Sequence, residues 1–480
     1  MKIYNSLTRT KEEFVSLKKG KIGMYICGPT VYDEPHIGHA RSAYIFDCIR
    51  RYFEYRGYEV TFVRNVTDVD DKIIDKARSA FSHQLSVISL EEAAGQISRQ
   101  YLASYHEDMA LLGIGGPDKE PKATEYISKM VKFIGLLIER GRAYEANGDV
   151  YFNIRKAKDY GKLSNQNLDK MEAGARGSSG EDKKDPLDFA LWKKAKDTEP
   201  SWNSPWGMGR QGWHIECSAM SSDILGDEFD VHGGGVDLIF PHHENEIAQS
   251  EGAGKAFARY WIHNGLLTIN NEKMAKSLGN FVSIKDFISK YKDADYLKLL
   301  FLNTHYRHPV DYTEEKIQEM MSQKERFLIL FDKLDKIKEP EPRFKIKKVT
   351  TASTNSTTRF EEAMDDDFNT PMALAVLFDL VTYANIYMQG KTSFTEYEVN
   401  ELIVIKRVLT KLASVFGLNL SKLISKEEID ENDILKLIEE RDEARRSKDF
   451  KKSDLIRDRL VMKGIILEDT KDGTTWRRKP

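Results

Sequence analysis

Cysteine is scarce in this chain, three residues in 480, and an odd count of three builds no disulfide framework. A reducing compartment is expected, and Cys27, Cys48 and Cys217 each need a chemical reason of their own. Proline (13) and glycine (31) are too few for a collagen-like or low-complexity chain. Long apolar runs are missing too: the best, Met372 to Met388, is interrupted by Asp379 and Asn385, short of the ~18 unbroken residues of a spanning helix. The opening Met1 to Thr10 has no apolar stretch for a secretory signal. A cytoplasmic protein without a membrane partner is expected. No sign of charge dominates, since 73 Lys and Arg against 76 Asp and Glu leave a net −3. That excludes a surface coated in basic residues for nucleic acid, but not a local patch, because distribution sets the field as well as the total. One patch exists: residues 441–480 hold 13 Lys and Arg against 8 Asp and Glu.

What is present is a globular composition, 40% apolar and 31% charged, with length for roughly three domains. Gly23 to Cys27 reads as a strand stopped by Gly28-Pro29. Ala40 to Arg56 places Ile45, Ile49, Tyr52 and Phe53 at helical spacing and ends at Gly57, and Glu59 to Val66 is a β-branched strand. Strand, helix and strand within about 45 residues predict a right-handed βαβ crossover and hence a parallel sheet. A helical stretch follows to about Leu112. An inserted segment carries a helix from about Ala123 to Arg142, a strand Asp149 to Ile154 and a Gly/Ser/charge loop at 173–185. The parallel pattern resumes near Phe229 to His232. After a linker that runs from Glu339-Pro-Glu-Pro342 through 350–358, the chain is helical to about 416, and a small charged module closes it.

Chemistry concentrates in three places. Pro35-His36-Ile37-Gly38-His39-Ala40 lies where the first strand hands over to the first helix, and helix N-termini beyond the carboxyl ends of parallel strands favour phosphate. His36 and His39 can share one face, and Gly38 leaves room for a nucleotide; the plainer alternative is two histidines capping a helix. Lys273-Met-Ala-Lys276-Ser follows a β-like run with an Asn270-Asn271 turn. Two lysines there suit neutralisation of a polyphosphate, against the alternative of a solvated pair. His242 and Glu246 lie four apart on a helix that Pro241 would start. With Cys27 and Cys217 they make a plausible tetrahedral zinc set, although positions so remote are weak evidence by spacing alone. Cys48, on the stripe of Ile45, Ile49 and Tyr52, reads as core.

These motifs and their order resemble the class I aminoacyl-tRNA synthetases and, within them, the cysteinyl-tRNA synthetases. The resemblance is carried by Cys27-Gly-Pro-Thr-Val-Tyr32, Pro35-His-Ile-Gly-His-Ala-Arg41, Asn65-Val-Thr-Asp-Val-Asp-Asp-Lys72, Asp185-Pro-Leu-Asp-Phe-Ala-Leu-Trp-Lys193 and Gly212-Trp-His-Ile-Glu-Cys-Ser-Ala-Met220. It continues through Val231-His-Gly-Gly-Gly-Val-Asp-Leu238, Phe240-Pro-His-His-Glu-Asn-Glu-Ile-Ala248, Asp365-Asp-Asp-Phe-Asn-Thr-Pro371 and Gly464-Ile-Ile-Leu-Glu-Asp469. It spans the whole chain. Ala275 departs from the serine usual in the lysine loop of the class, but the catalytic burden there falls on Lys273 and Lys276.

The resemblance implies an α/β, Rossmann-type parallel-sheet catalytic domain (1–114 and 206–265) with a connective insertion (115–205). A lysine-loop and stem-contact region (266–340), a helical tRNA-binding bundle (341–420) and a C-terminal anticodon-binding module (421–480) would follow. It implies that His36 and His39 stabilise charge on the α-phosphate of ATP, that Lys276, with Lys273, clamps the leaving pyrophosphate, and that Gly38, Gly235 and Asp237 cradle the nucleotide. Cysteinyl-adenylate would form and pass its cysteinyl group to the terminal ribose of tRNA(Cys). Cys27, Cys217, His242 and Glu246 would hold one Zn2+, with Thr67, Trp213 and His232 near the amino acid and Mg2+ accompanying ATP. The metal answers a selectivity problem. An apolar pocket separates near-isosteres only about 10–200-fold, whereas a soft cation distinguishes a thiolate from a hydroxyl. A basic, partly helical tail, Arg441 through Lys451, Lys452, Arg457 and Arg459 to Trp476-Arg-Arg478, suits phosphate contact and base stacking. A monomer is expected. Two alternatives stand beside this reading: an ATP-dependent ligase joining cysteine to a small amine, as in the mycothiol-pathway paralogues, for which bundle and tail would be superfluous, and a catalytically dead RNA-binding paralogue, which intact signature residues argue against.

Overall fold

Four strands, buried mainly toward their carboxyl ends, form the central sheet: Lys21–Ile26 (β1), Glu59–Arg64 (β2), Glu228–Gly235 (β3) and Phe257–Asn264 (β4). In this computed structural model they run in the spatial order β4-β3-β1-β2, parallel throughout. Burial at successive residues, and not at alternate ones, marks strands covered on both faces. Helix Ile37–Tyr55 (α1) crosses from β1 to β2, Trp213–Leu225 (α2) precedes β3, and Glu244–Gly252 (α3) crosses from β3 to β4. From the central β1/β3 pair the chain winds outward in opposite directions. That topological switch opens a crevice beyond the carboxyl ends of the two strands.

The structure describes residues 1–83, 87–168, 182–274, 279–337, 351–420 and 431–447, and 449, 453, 456–457, 460, 465–470 and 473–478 beyond them. Lys276, most of the 173–185 loop, and Lys451, Lys452 and Arg459 lie outside these residues.

Several boundaries differ from expectation for identifiable reasons. Helix α1 begins at Ile37 instead of Ala40 because the His36 imidazole caps it. The helical stretch expected up to Leu112 is two helices, Asp71–Ala80 and Leu90–Leu111, each with its own cap, Asp70 and Ser89. The expected helix 123–142 is a single turn at Ala123–Glu125 followed by Ile127–Glu139, and Gly141 leaves at φ 66°. An antiparallel sheet, Ala143–Ala146, Asp149–Phe152, Phe189–Lys194 and Gly209–Gln211 in sequential order, completes this inserted part.

Beyond β4 a small sheet pairs Leu267–Ile269 with Glu272–Lys273 and with Val310–Tyr312. Asn270 and Asn271, at φ 51° and 63°, supply the left-handed pair that a two-residue hairpin requires. Four helices follow, Glu314–Asp335, Thr351–Asp365, Thr370–Met388 and Glu396–Val415. By length and composition Thr370–Met388 could cross a membrane, but Ala373, Leu374, Leu377, Leu380, Val381 and Ala384 are buried in the bundle. Met1–Asn419 forms one unit and Leu420–Pro480 a second.

In the second unit helix Glu431–Arg446 and the hairpin Ile465–Thr470/Gly473–Arg478 enclose Ile434, Leu437, Ile438, Ile456, Leu460 and Ile465. Two members of the expected basic, stacking surface face this core instead. Arg441 is 3% exposed and donates to Thr474 Oγ1 at 3.1 Å, and Trp476 packs against the apolar cluster. Arg441 lies three residues from Ile438 and seven from Ile434, which puts it on the inner stripe of its helix.

Candidate active site and metal centre

Cys27 leaves β1 with its amide bonded to the Gly233 carbonyl of β3 at 3.2 Å, so its side chain enters the crevice at the switch point. Cys217 comes from α2. Its start is pressed against the inserted sheet at Gly212, where a Cβ would lie 2.0 Å from the Ala190 carbonyl oxygen. Pro241 does not start α3 as expected. Phe240 is extended (φ −136°, ψ 132°) inside an irregular turn, Ile239–His243, and the regular helix begins at Glu244. His242 therefore reaches the site from that turn and Glu246 from the first turn of α3.

Their donor atoms converge. Cys27 Sγ is 3.6 Å from Cys217 Sγ and 3.7 Å from Glu246 Oε1, Cys217 Sγ is 3.5 Å from His242 Nε2, and His242 Nε2 is 3.0 Å from Glu246 Oε1. Zinc bonds of ~2.3 Å to sulfur and ~2.0–2.1 Å to nitrogen or oxygen give tetrahedral edges of about 3.8, 3.5 and 3.3 Å for S–S, S–N/O and N–O pairs. The four donors fit one ion of that kind. Two thiols, an imidazole and one carboxylate are a soft, borderline set, unlike the all-oxygen cages of magnesium or calcium.

A second grouping, Cys27, His232, His243 and Glu246, is also compact. In it His232 Nε2 stands 2.7 Å from Glu246 Oε2, a hydrogen-bond distance shorter than any edge between two ligands of one ion. His232 therefore reads as the hydrogen-bond partner that orients the Glu246 carboxylate. His243 Nε2 lies 3.3 Å from Cys27 Sγ, while its Nδ1 bonds His263 at 2.8 Å.

Burial sets the protonation preferences of the cluster. Burial pushes the Cys27 and Cys217 thiols and the Glu246 carboxyl up. Burial, and then His214 and His232, hold the His242 imidazole down. Left alone these groups stay neutral; a divalent ion reverses the preference and favours thiolate and carboxylate.

Along the crevice, His36 and His39 begin α1 with stacked rings, centroids 3.8 Å apart and planes at 22°. They form a capping box. His36 Nδ1 accepts from the amides of Gly38 and His39 at 3.1 and 3.4 Å, and His39 Nδ1 accepts from the His36 amide at 3.2 Å. This network assigns the proton of each ring to Nε2 and leaves that edge outside the cap. Burial in the crevice, followed by the charges of His36 and Lys72, holds the His39 imidazole down. His39 keeps an exposed edge at the mouth of the crevice. A Cβ on Gly38 would stand 2.9 Å from the His36 ring and 3.3 Å from Met274 Cε, so the glycine lets the lysine turn approach.

Lys273 is exposed at the end of its short strand, and its carbonyl accepts from Asn280 Nδ2 at 3.1 Å. The far flank of the turn runs beside the histidines: Ile37 N bonds Val282 O at 3.2 Å and Ile284 N bonds Pro35 O at 3.4 Å. Gly235 ends β3 and Asp237 is exposed just past it, both at the mouth of the crevice.

Three family models match this chain: "tRNA synthetases class I (C) catalytic domain" over residues 13–322, "DALR domain" over 359–421 and "Cysteinyl-tRNA ligase anticodon binding domain" over 431–477. A cysteine–tRNA ligase of Geobacillus thermodenitrificans is 48% identical, the alignment covering 100% of this chain and 99% of that one. One of Coxiella burnetii is 46% identical over the full length of both. The chain belongs to the cysteine–tRNA ligase family. It is thus an ATP-dependent class I aminoacyl-tRNA synthetase. The fold is shared with Mycobacterium tuberculosis methionyl-tRNA synthetase, at a TM-score of 0.60 with 15% identity over 83% of this chain and 91% of that chain.

The remaining expected residues differ in exposure and partners. Trp213, 39% exposed, stacks on His242 at 4.2 Å and 27°. His232, wholly buried, stands behind Glu246 and stacks on Trp261 at 4.4 Å. Thr67 is 2% exposed, and its hydroxyl is committed to Glu216 Oε2 at 2.6 Å. Glu216 was not singled out in the sequence. It also accepts from Gln211 at 3.0 Å, and burial pushes its carboxyl up to about 8. Asn65 was missed as well: its Oδ1 receives the Gly28 amide at 2.8 Å and lies 3.8 Å from Cys217 Sγ. Neither residue has a spacing signal, because the contacts Glu216 makes with Thr67 and Asn65 with Cys217 join positions about 150 residues apart in sequence.

Proposed function

We propose that cysteine, ATP and the 3' end of tRNA(Cys) meet in the crevice between β1 and β3, with one zinc ion held by Cys27, Cys217, His242 and Glu246. The observation that carries this reading is the donor set at the switch point, three of its four residues buried, with tetrahedral edge lengths. Zinc bound there supplies a soft Lewis acid that discriminates a substrate thiolate from a serine hydroxyl.

The chain's own residues divide the remaining work. His36 and His39 present Nε2–H donors to the α-phosphate as the cysteine carboxylate attacks phosphorus and pyrophosphate departs, stabilising charge that develops there. Lys273 and Lys276 neutralise the departing pyrophosphate, a charge that Mg2+ accompanying ATP would share. Gly38 keeps the backbone low beneath the nucleotide, and Gly235 and Asp237 receive its ribose. Thr67, fixed by Glu216, and Trp213, stacked on His242, bound the amino-acid pocket, and His232 fixes the Glu246 carboxylate. The terminal ribose hydroxyl of the tRNA then attacks the adenylate carbonyl and AMP leaves.

The catalytic parts are 1–114 and 206–265, with the connective insertion at 115–205. Residues 266–340 carry the lysine loop, 341–420 meet the anticodon stem, and 421–480 read the anticodon. The protein works as a cytoplasmic monomer without a membrane partner. Cysteine-dependent pyrophosphate exchange separates the steps. Exchange together with charged tRNA supports the whole reading, and exchange without charging points to a small-amine acceptor.

A further inference from the structure

Arg41 closes the Pro35–Arg41 block, yet neither the metal nor the phosphate chemistry accounts for it. It stands two residues after His39 on α1 and is 1% exposed. No carboxylate pairs with its guanidinium among the described residues. Nη1 donates to the Leu266 carbonyl, and Nη2 donates to the His308 carbonyl and to the Tyr306 carbonyl at 3.3 Å. Burial without a counter-charge pulls this group down to about 10. A buried cation answered only by backbone dipoles is a costly arrangement, so what it holds matters.

The three carbonyls lie at one structural root. Leu266 leads into strand Leu267–Ile269 and His308 into Val310–Tyr312, and these strands run side by side with Leu267 opposite Val310. The third strand of that sheet, Glu272–Lys273, pairs with Leu267–Ile269 and carries Lys273 into the turn. One guanidinium fork therefore grips the base of two adjacent strands from a helix that His36 caps and whose first turn carries His39. The two backbones approach closely at this root: a Cβ on Gly265 would lie 2.4 Å from the His308 carbonyl oxygen. The exit of the turn is tied independently, by the bonds between 35–37 and 282–284. The segment 305–308 is also pinned from its other side, because Tyr306 Oη and Arg307 Nε both donate at 2.8 Å to Asp367, which is 0% exposed.

We propose that Arg41 is a positioning residue for adenylate formation, its fork fixing the root of the lysine turn to the helix that carries His36 and His39. The proposal rests on the assignment of those histidines and of Lys273 and Lys276 to the phosphates of ATP. A planar guanidinium reaches several acceptors in fixed directions, and an ammonium is a single point charge, so lysine is no substitute here.

The test uses full-length, metal-replete protein carrying Arg41→Lys or Arg41→Met, with Lys273→Ala and Lys276→Ala as references. Folding should survive, because the Leu266 and Tyr306 carbonyls keep second donors in Val310 N (3.0 Å) and Gly265 N (2.8 Å). Misplacement of a catalytic group by about 1 Å costs up to ~100-fold. The kcat of cysteine-dependent pyrophosphate exchange should therefore fall by about 30–100-fold in both Arg41 variants. The KM for cysteine and the metal content should hold, and amide hydrogen exchange should quicken in 267–269. A kcat close to wild type in either folded variant would overturn the proposal, as would a loss of kcat matched by loss of metal and of cysteine binding. If both lysine variants exchange normally, the phosphate assignment itself fails and the proposal falls with it. Slow lysine variants beside normal Arg41 variants remove the proposal alone.

Discussion

His232→Phe tests which residues form the metal centre. His232 is wholly buried, donates from Nε2 to the Glu246 carboxylate oxygen Oε2 at 2.7 Å, and stacks on Trp261 with planes at 14°. Phenylalanine preserves the stacking volume and removes the polar contact. A hydrogen bond to a charged group contributes about 1.5–3 kcal/mol, and ~1.4 kcal/mol is tenfold in affinity. Zinc should therefore bind about 10–100-fold more weakly, the loss typical when the partner of a ligand is removed. Competition against a chromophoric chelator measures this directly. His242→Phe should lose more, because it deletes a donor: about 10–16 kcal/mol shared among four ligands is roughly 3 kcal/mol each. If the order were reversed, with His232→Phe the more damaging, the centre would be Cys27, His232, His243 and Glu246 and the present assignment would be wrong. Unchanged zinc affinity in His232→Phe would refute the hydrogen-bond argument itself.

Other expectations follow from the same contacts. His36→Ala should destabilise the start of α1 by about 1 kcal/mol through the lost cap and slow pyrophosphate exchange by roughly 100–1,000-fold; a slow variant with α1 hydrogen exchange unchanged would disprove the capping contribution. Asp367→Ala strips Tyr4 N, Tyr306 Oη and Arg307 Nε of a buried acceptor and should cost about 3 kcal/mol, read as a lower urea midpoint. Burial lifts the Asp108 carboxyl to about 6, above its unfolded value, so its ionised form opposes folding above pH 6 and the penalty fades as pH falls through 6 toward 4. Asp108→Asn should then stabilise the chain by about 2 kcal/mol at pH 8 and little at pH 4.5; equal effects at both pH values would contradict that linkage. Deleting 420–480, which forms a unit of its own, should abolish tRNA charging and leave cysteine-dependent pyrophosphate exchange intact.

Much of this was legible in the residues, and what was not has physical causes. The strand ending at Cys27, the helix stopped by Gly57 and the next strand follow from local periodicity, which made the βαβ unit readable. The helix start was misplaced by three residues because imidazoles stand outside the usual Ser, Thr, Asp and Asn caps. Proline at 241 suggested a helix start, but the irregular turn there lets both His242 and His243 point inward, each to its own partner. No spacing rule could join Cys27 to Cys217 across 190 residues; the order of the motif blocks did so. Arg441 was misjudged although its spacing from Ile434 and Ile438 marks an inward face. Counting charge along a helix says nothing of which side carries it.

The most direct test of the account is cysteinylation by zinc-replete protein with ATP, Mg2+, labelled cysteine and unfractionated tRNA, alongside the Cys217→Ser variant. The account predicts label in acid-precipitable, base-labile tRNA for the wild type, and loss of bound zinc and of cysteine activation together in the variant. Full activity in a variant lacking zinc, or a wild type that exchanges pyrophosphate with cysteine but charges no tRNA, would contradict it.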